Sequence, residues 1–594
     1  MNRARRFRSS GWPTAGPRVL RRLARQLARR CARHGLLLPC AVTLLWAPFP
    51  AWAAAVPTLD QLFPAGFQLG TSNAAVAVGK FDPWPVRFWV DSPGVQITSA
   101  TNSGGLQVQI SRDVTPGPHL VRAWNEEGSS QPRFLIITAE APVAEVEPND
   151  QVTQPQRIEN LPVWINGRLE KSGDVDCYSV HLDRSQTLIA ALQAFVLGSP
   201  LDGVLRVTDS RGVQVGWNHD DGRTLDPFVA FTAPSAGEYV VQVFGFAYPA
   251  DSDVRFTGNA RCVYRLQLSR GPWVAYTLPM GVSRQGRTSL KLSGWNLAAD
   301  ALPAEFPGAR IPADADTVWL TGLKTENRVS VPVGPGPEWM EKEPNDRPPE
   351  AALLEPPFAV TGIISSAGDE DRVAMRVKKG EVFRLEVRSA SPQLDAWLKV
   401  ETAAGKELQR SDDSSSGRDP SLVWTAGEEG RFVIAVGSLL HRGGEDYAYR
   451  LSVGHPEPSV TAKAADHSFT FEAGRTNELK VSVKLENGAK GKWTAALTGL
   501  PAEWTPASQE VPEKSGDMSW KIPVAATAAA FSGSFQVILR SAETGQTRLA
   551  THDLIVVGEN NGVPNGYNHL VIESIDTLWM TLKPAKAKPP ADKK

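Results

Sequence analysis

The chain has 594 residues, 42% of them hydrophobic, with 63 basic against 64 acidic side chains, 50 Gly, 46 Pro and four Cys. At roughly 150 residues per domain that length suggests about four domains, and Gly and Pro set between short alternating runs of Val and Thr favour an all-β class of short strands and tight turns. Eleven Arg and no acid fall in residues 1–34, so the remainder of the chain holds 52 basic and 64 acidic residues, a balance that argues against a nucleic-acid partner, because phosphate binding needs clustered Lys and Arg.

The basic start leads into an apolar run from Leu36 to Trp46 and the small-residue site Ala51-Trp52-Ala53. Basic region, apolar core and A-x-A site describe a secretory signal peptide over 1–55. Its basic part is long, which fits a start further downstream or a twin-arginine route through Arg5-Arg6-Phe7. No other stretch approaches the roughly 20 apolar residues of a membrane span. The chain is therefore expected to be exported, to the periplasm, the cell surface or the outside, with no membrane span.

Residues 56–140 read as strands and turns. Pro64-Ala65-Gly66 and Gly70-Thr71 turn early; Leu106-Gln107-Val108-Gln109-Ile110 alternates with period two; Pro116-Gly117-Pro118-His119 turns into Leu120-Val121-Arg122-Ala123-Trp124. Such alternation marks half-buried strands. These turns and strands resemble an IPT/TIG-type immunoglobulin-like domain.

The stretch at the centre of the chain's organisation is acidic and occurs twice. Glu145-Val146-Glu147-Pro148-Asn149-Asp150 returns as Glu341-Lys342-Glu343-Pro344-Asn345-Asp346, and Gly173-Asp174-Val175-Asp176 returns as Gly368-Asp369-Glu370-Asp371. Gly167 matches Gly362 and Asp174 matches Asp369, each 195 residues on; Leu201-Asp202, Asp220-Asp221, Asp226-Pro227 and Tyr264-Arg265-Leu266 have partners at Leu394-Asp395, Asp412-Asp413, Asp419-Pro420 and Tyr449-Arg450-Leu451. So many coincident marks are an internal duplication. Each copy, 141–270 and 338–456, carries eight or so short strands and reads as a two-sheet sandwich of jelly-roll type. The constant offset implies that the material between the copies repeats too: 271–337, with Pro279-Met280-Gly281, resembles a shortened form of the first domain. Residues 457–584, with the clean alternation of Leu479-Lys480-Val481-Ser482-Val483-Lys484-Leu485, look like an immunoglobulin-like or fibronectin-like domain. The Pro/Ala/Lys tail 585–594 cannot bury a core and is expected to be disordered.

Together, Glu-x-Glu-Pro-Asn-Asp, Gly-Asp-x-Asp, Leu-Asp, Asp-Asp and the terminal Tyr-x-Leu resemble the bacterial pre-peptidase C-terminal (PPC) domain, a family that includes collagen-binding domains of secreted collagenases. The resemblance covers both copies, roughly 245 of 594 residues. The module order also looks like that of exported planctomycete-type proteins. It implies a jelly-roll sandwich and, from the collagenase relatives, calcium as the bound ion. Carried over, the ligands are Glu145, Glu147, Asn149, Asp150, Asp174 and Asp176, and in the second copy Glu341, Glu343, Asn345, Asp346, Asp369 and Asp371. The chemistry agrees, since calcium takes six to eight oxygen ligands. The alternative is that Pro-Asn-Asp and its Asx side chains only cap turns, which they do without a metal.

Two Cys, Cys31 and Cys40, lie in the signal region. Cys177 and Cys262 fall within one module and are either a disulfide, as export favours, or two separate thiols; the decision rests on whether their Cα atoms approach within about 7 Å. Nothing else points to catalysis. There is no His-Glu-x-x-His and no Gly-x-Ser-x-Gly. His219, beside Asp220 and Asp221, has Ser411 as its counterpart, and carboxylate pairs such as Asp174 with Asp176 recur in both sandwiches, which favours a metal or turn role over glycoside hydrolysis. The expectation is a secreted, non-catalytic scaffold or adhesion protein of the cell envelope. Its alternative is a calcium-dependent carbohydrate- or protein-binding accessory factor for a secreted hydrolase; a degenerate hydrolase is a third reading.

Overall fold

The computed structural model describes residues 54–585, apart from 221–223, 249–254, 299–304, 313–314, 415–416, 488, 490 and 556–570. The expected signal peptide, but for its last two residues, and the expected disordered tail, but for its first, lie outside the described residues. Among the described residues the only helical segments are three single-turn 3-10 pieces between strands, so the fold is all-β, a tandem of jelly-roll and immunoglobulin-like sandwiches. Among the described residues no helix is long and apolar enough to cross a membrane. Among the described residues five large hydrophobic cores follow one another, spanning 59–137, 158–268, 274–331, 358–453 and 460–582, with two small clusters beside them.

The second and fourth cores belong to the duplicated sandwiches. In the first of these, one sheet runs Val143–Ala144, Val163–Arg168, Val263–Ser269, Thr187–Gln193, Phe228–Thr232; the other runs Gln156–Arg157, Asp176–Leu182, Gly237–Ala247, Leu201–Asp209, Gln214–Asn218. The second repeats this order strand for strand, from Glu338–Met340 to Ser421–Thr425 in one sheet and from Ala352–Leu354 to Glu407–Ser411 in the other. The registers match as well: Asp176 faces Val243 as Asp371 faces Val436, and Gly167 faces Tyr264 as Gly362 faces Tyr449. Those two glycines are dictated by a close approach. A Cβ on Gly167 would lie 2.2 Å from the Tyr264 ring, and one on Gly362 would lie 2.5 Å from the Tyr449 hydroxyl.

Both edge strands at the start of each sandwich pair in parallel with their neighbours, one in each sheet. The chain between them must therefore cross from one sheet to the other at the end of the sandwich. That crossing is the acidic stretch, and the crossing is what brings it over the start of the strand that carries Asp176 (Asp176–Leu182) or Asp371 (Glu370–Val377).

The junction with the preceding module is duplicated too. Asn166 accepts a hydrogen bond from the Gly66 N–H and donates to the Gly66 carbonyl, both at 3.0 Å. At the equivalent place Thr361 Oγ1 accepts from the Met280 N–H at 2.8 Å. The two-module unit, not the sandwich alone, is the repeat. The intervening module is reduced to three small sheets of two or three strands.

The fifth module turns back on the first. The buried Arg122 donates to His467 Nδ1 at 3.0 Å and to the Thr577 carbonyl at 2.9 Å. Burial and the Arg122 charge hold the His467 pKa down to about 3, which leaves Nδ1 free to accept. Trp579 packs against Trp89 and Trp124 at centroid distances of 5.9 and 5.6 Å, and Lys583 meets Glu127 at 2.5 Å. The modules thus close on themselves instead of trailing as a string. Removing the Trp579 ring is expected to cost about 3–5 kcal/mol. Small-angle scattering of Trp579→Ala should show a larger radius of gyration together with an earlier denaturation midpoint; an unchanged radius would mean that the two ends are held by something else.

Candidate metal centre

The acidic stretch is stitched to both sheets. Glu145 N–H donates to the Asn166 carbonyl at 3.0 Å, and the Asn149 carbonyl accepts from the Cys177 N–H at 3.1 Å. Between these anchors, Glu145 Oε2 accepts from the Arg168 N–H at 2.8 Å, and Glu147 Oε2 caps the Asn149 N–H at 2.9 Å. Gly173, at φ +88°, supplies the left-handed turn that L side chains avoid. The turn aims Asp174 inward, where Oδ2 accepts from the Glu170 N–H at 2.5 Å. Asp176 opens its strand fully buried, with Oδ2 accepting from Tyr264 OH at 2.5 Å, and Tyr264 OH lies 2.6 Å from Tyr178 OH.

As a result, oxygen atoms of Glu147, Asp150, Asp174 and Asp176 all lie within 4.8 Å of one another. Glu145 sits behind them against Tyr178 and Tyr264, at 3.4 Å from each hydroxyl. Several of the converging oxygens lack a well-formed hydrogen bond: Asn149 Oδ1, Asp150 Oδ1, Asp174 Oδ1 and Asp176 Oδ1. Lys171 supplies part of the compensation, with Nζ 3.0 Å from Asp150 and 3.5 Å from Asp174.

The second sandwich assembles a smaller version. Glu341, Glu343 and Asp371 come within 4.8 Å of one another, and Asn345 Nδ2 reaches Glu341 at 3.5 Å. Asn345 Oδ1 and both Asp371 oxygens lack a well-formed hydrogen bond, although Tyr449 lies against Asp371. Asp346 and Asp369 stand outside this group. Asp369 is taken up by the Ser365 N–H and hydroxyl at 2.6 and 2.9 Å, and the Asp346 carbonyl holds Arg372. Ser366 stands where the first copy has Lys171, so no ammonium draws those two carboxylates together.

Burial dominates the electrostatics. It pushes Asp176 and Asp371 well above the usual carboxylate range, reinforced by Glu145 and Glu341 beside them. Burial also raises Glu145, Glu147, Asp174, Glu341 and Glu343. Asp150 moves the other way, because Lys171 hydrogen-bonds to it. Sequence reasoning found the acids but missed Tyr264 and Tyr449 as their support, and Lys171 as a resident cation. The recurring Tyr-x-Leu was the available signal for the tyrosines.

The disulfide expectation is corrected. Cys177 and Cys262 are both free and buried. On its strand Tyr178 points into the core, so Cys177 lies on the outer face, where Gln242 donates to its sulfur at 3.4 Å. Cys262 belongs to the core between the sheets, beside Thr257. A whole sheet separates the two sulfurs. Of the residues weighed for catalysis, His219 Nε2 lies 3.1 Å from Asp202 and Nδ1 3.8 Å from Asp220, while Asp221 is outside the described residues. Ser411 instead bonds to the carbonyls of Asp413 and Ser421, so this arrangement is peculiar to one copy.

No family model matches the chain, and no curated protein matches it. Among solved structures it is similar to the pre-peptidase C-terminal domain of collagenase from Bacillus anthracis, at 14% identity over 19% of this chain and 99% of that one, with a TM-score of 0.16. It is also similar to fibronectin(III)-like modules of Clostridium thermocellum (10% identity, 42% and 95% of the two chains, TM-score 0.13) and to a tetra-tandem repeat from the extending region of a large adhesion protein (10%, 82% and 98%, TM-score 0.12). Likenesses this slight decide nothing about a ligand or an activity.

The folded chain keeps protons on these buried acids that the unfolded chain releases above about pH 4. Without a cation, stability from these groups falls as pH rises from there towards neutrality, by about 1.4 kcal/mol per pH unit for each proton so held. In chelator, the melting midpoint should therefore gain on going from pH 7.5 to pH 5, and Asp176→Asn combined with Asp371→Asn should shrink that gain. An identical pH response in parent and double variant would mean that the two carboxylates are solvated.

Proposed function

We propose that the chain is an exported, non-catalytic scaffold or adhesion protein of the cell envelope, in which each of two PPC-type sandwiches is closed by calcium. The observation that carries this reading is the convergence, at the same place in both copies, of acid and amide oxygens that lack a well-formed hydrogen bond. The fit to a hard cation is good on three counts. The donors in both clusters are oxygens, with no thiol or imidazole among them. Buried carboxylates without partners are costly unless an opposite charge is supplied. Backbone carbonyls and water can complete the six to eight ligands that calcium takes.

Glu147, Asp150, Asp174 and Asp176, with Asn149 Oδ1 and with Glu145 behind, would hold the first ion. Glu341, Glu343 and Asp371, with Asn345 Oδ1, would hold the second, Asp346 and Asp369 being the outlying members of the expected set. Bound there, the ion supplies positive charge that relieves the crowding of the carboxylates. The chain's own part is to span the seam. The residue whose backbone anchors the acidic stretch, Asn166, is also the one whose side chain grips the preceding module, and Thr361 repeats the arrangement. Fixing the stretch therefore stiffens the joint between modules, which suits a spacer of set geometry. The alternative, a calcium-dependent carbohydrate- or protein-binding accessory factor, is favoured by the exposed rings of Trp217, Trp319 and Trp339.

Calorimetric titration of the full chain with calcium should report two sites, one of which disappears in Asp174→Ala. At a hundredfold excess over Kd each site should add about 2.7 kcal/mol to stability. A titration without heat or stabilisation would leave only the turn-capping role. Retention on polysaccharide or collagen that is lost in chelator would move the reading to the accessory factor.

A further inference from the structure

The two sandwiches diverge at a point where their frames coincide. In the first, Tyr178 fills the space between the sheets and sets its hydroxyl 2.6 Å from Tyr264 OH and 3.4 Å from Glu145. In the second, the same strand position is Val373, a side chain smaller by an entire phenol ring. A second difference lies directly above it. Gln156, paired with Tyr178 across the parallel edge, ties the two sheets' edge strands together by accepting from the Val146 N–H at 2.9 Å and donating to the Ala144 carbonyl at 3.1 Å. Its counterpart, paired with Val373, is the exposed Ala352, which can make neither bond.

The outcome is a cavity of about 170 Å³ in the second sandwich, opening between the edge strands beside Trp339, itself 48% exposed. Val360, Val436 and Leu451 form its apolar wall. Its polar end holds Tyr449 and Glu341, the counterparts of the two groups that receive the Tyr178 hydroxyl in the first copy, and Lys342, Asn345 and Arg372 also line it. Asp371, only 3% exposed, also faces it, with both oxygens lacking a well-formed hydrogen bond.

We infer that this cavity is a binding site for a phenol: one aromatic ring with a hydroxyl, seated where the sister module seats its own tyrosine. The size agrees, because an apolar cavity of about 150 Å³ accepts benzene. The chemistry agrees as well. With no cation held there, the Asp371 oxygens at the inner end favour a hydrogen-bond donor, and the apolar wall would strand the hydroxyls of a sugar. The ring arrives either as a free small phenol or as a tyrosyl side chain of a partner. This inference does not rest on the bound cation, although Glu341 and Asp371 belong to both sites.

The test is titration of the full chain with p-cresol, and in a second arm with a tyrosine-containing peptide, each in chelator and in calcium. One p-cresol should bind per chain. Val373→Tyr, which fills the cavity, and Ala352→Gln, which restores the latch, should each weaken binding at least tenfold, and toluene should bind several-fold more weakly than p-cresol. Binding of the peptide in competition with p-cresol would mark a partner's tyrosine as the source; binding of p-cresol alone would mark a free phenol. The inference is overturned if neither probe binds, or if Ala352→Gln and Val373→Tyr bind p-cresol as the parent does; Ala352→Gln decides the matter alone should Val373→Tyr not fold. The chelator arm decides the inference without the metal, and weaker binding in calcium would mean that an ion on Glu341 and Asp371 competes with the phenol.

Discussion

Each duplicated sandwich is shaped by a carboxylate that lies at the start of an inner strand and cannot reach water. Asp176 and Asp371 are buried where the two sheets meet, and a lone charge in such a place costs several kcal/mol. The surrounding residues are arranged to meet that cost. A tyrosine from the last strand leans over a glycine that has no Cβ to obstruct it, and the acidic stretch crosses the seam to bring further oxygens alongside. Those oxygens accumulate negative charge faster than local donors neutralise it. Protons or a cation must supply the difference.

The same crossing ties the sandwich to its neighbour. One residue anchors the stretch by its backbone and the preceding module by its side chain, so the acidic cluster and the module joint share a residue in both copies. Duplicating the whole two-module unit duplicated the joint, and the fifth module then folds back through Arg122 and the Trp89, Trp124 and Trp579 cluster to close the arrangement. With the frame fixed in this way, the copies were free to diverge inside it. Lys171 became Ser366, Gln156 became Ala352 and Tyr178 became Val373, or the reverse, without altering the strand order.

Much of this was legible in the sequence because it is written in turns and spacing. Pro-Asn-Asp, Gly-Asp-x-Asp and the 195-residue offset locate the acidic stretch, the loop that meets it and the repeated two-module unit. What the sequence hid depends on where long side chains reach. Lys171 bridges Asp150 and Asp174 in one copy, whereas Ser365 takes up Asp369 in the other, so matching motifs bring four carboxylates together in one copy and three in the other. The cysteine pair misled because two thiols in one exported module suggest a bridge, whereas strand alternation places Cys177 and Cys262 on opposite sides of a sheet; Tyr178, next in line with its ring between the sheets, carried the warning. The cavity became visible only when Val373 and Ala352 were set against their sister residues in space, since neither is unusual alone. The closure of the fifth module onto the first leaves no local trace in the chain.

The crowded oxygens of both sandwiches are proposed to hold a divalent cation. A crystal structure of the full chain grown in calcium, with anomalous data collected to locate the ion, addresses this most directly. The account predicts two anomalous peaks, one among Glu147, Asp174 and Asp176 and the other among Glu343 and Asp371. Density showing these carboxylates still drawn together with no peak between them, in calcium and at neutral pH, would contradict it.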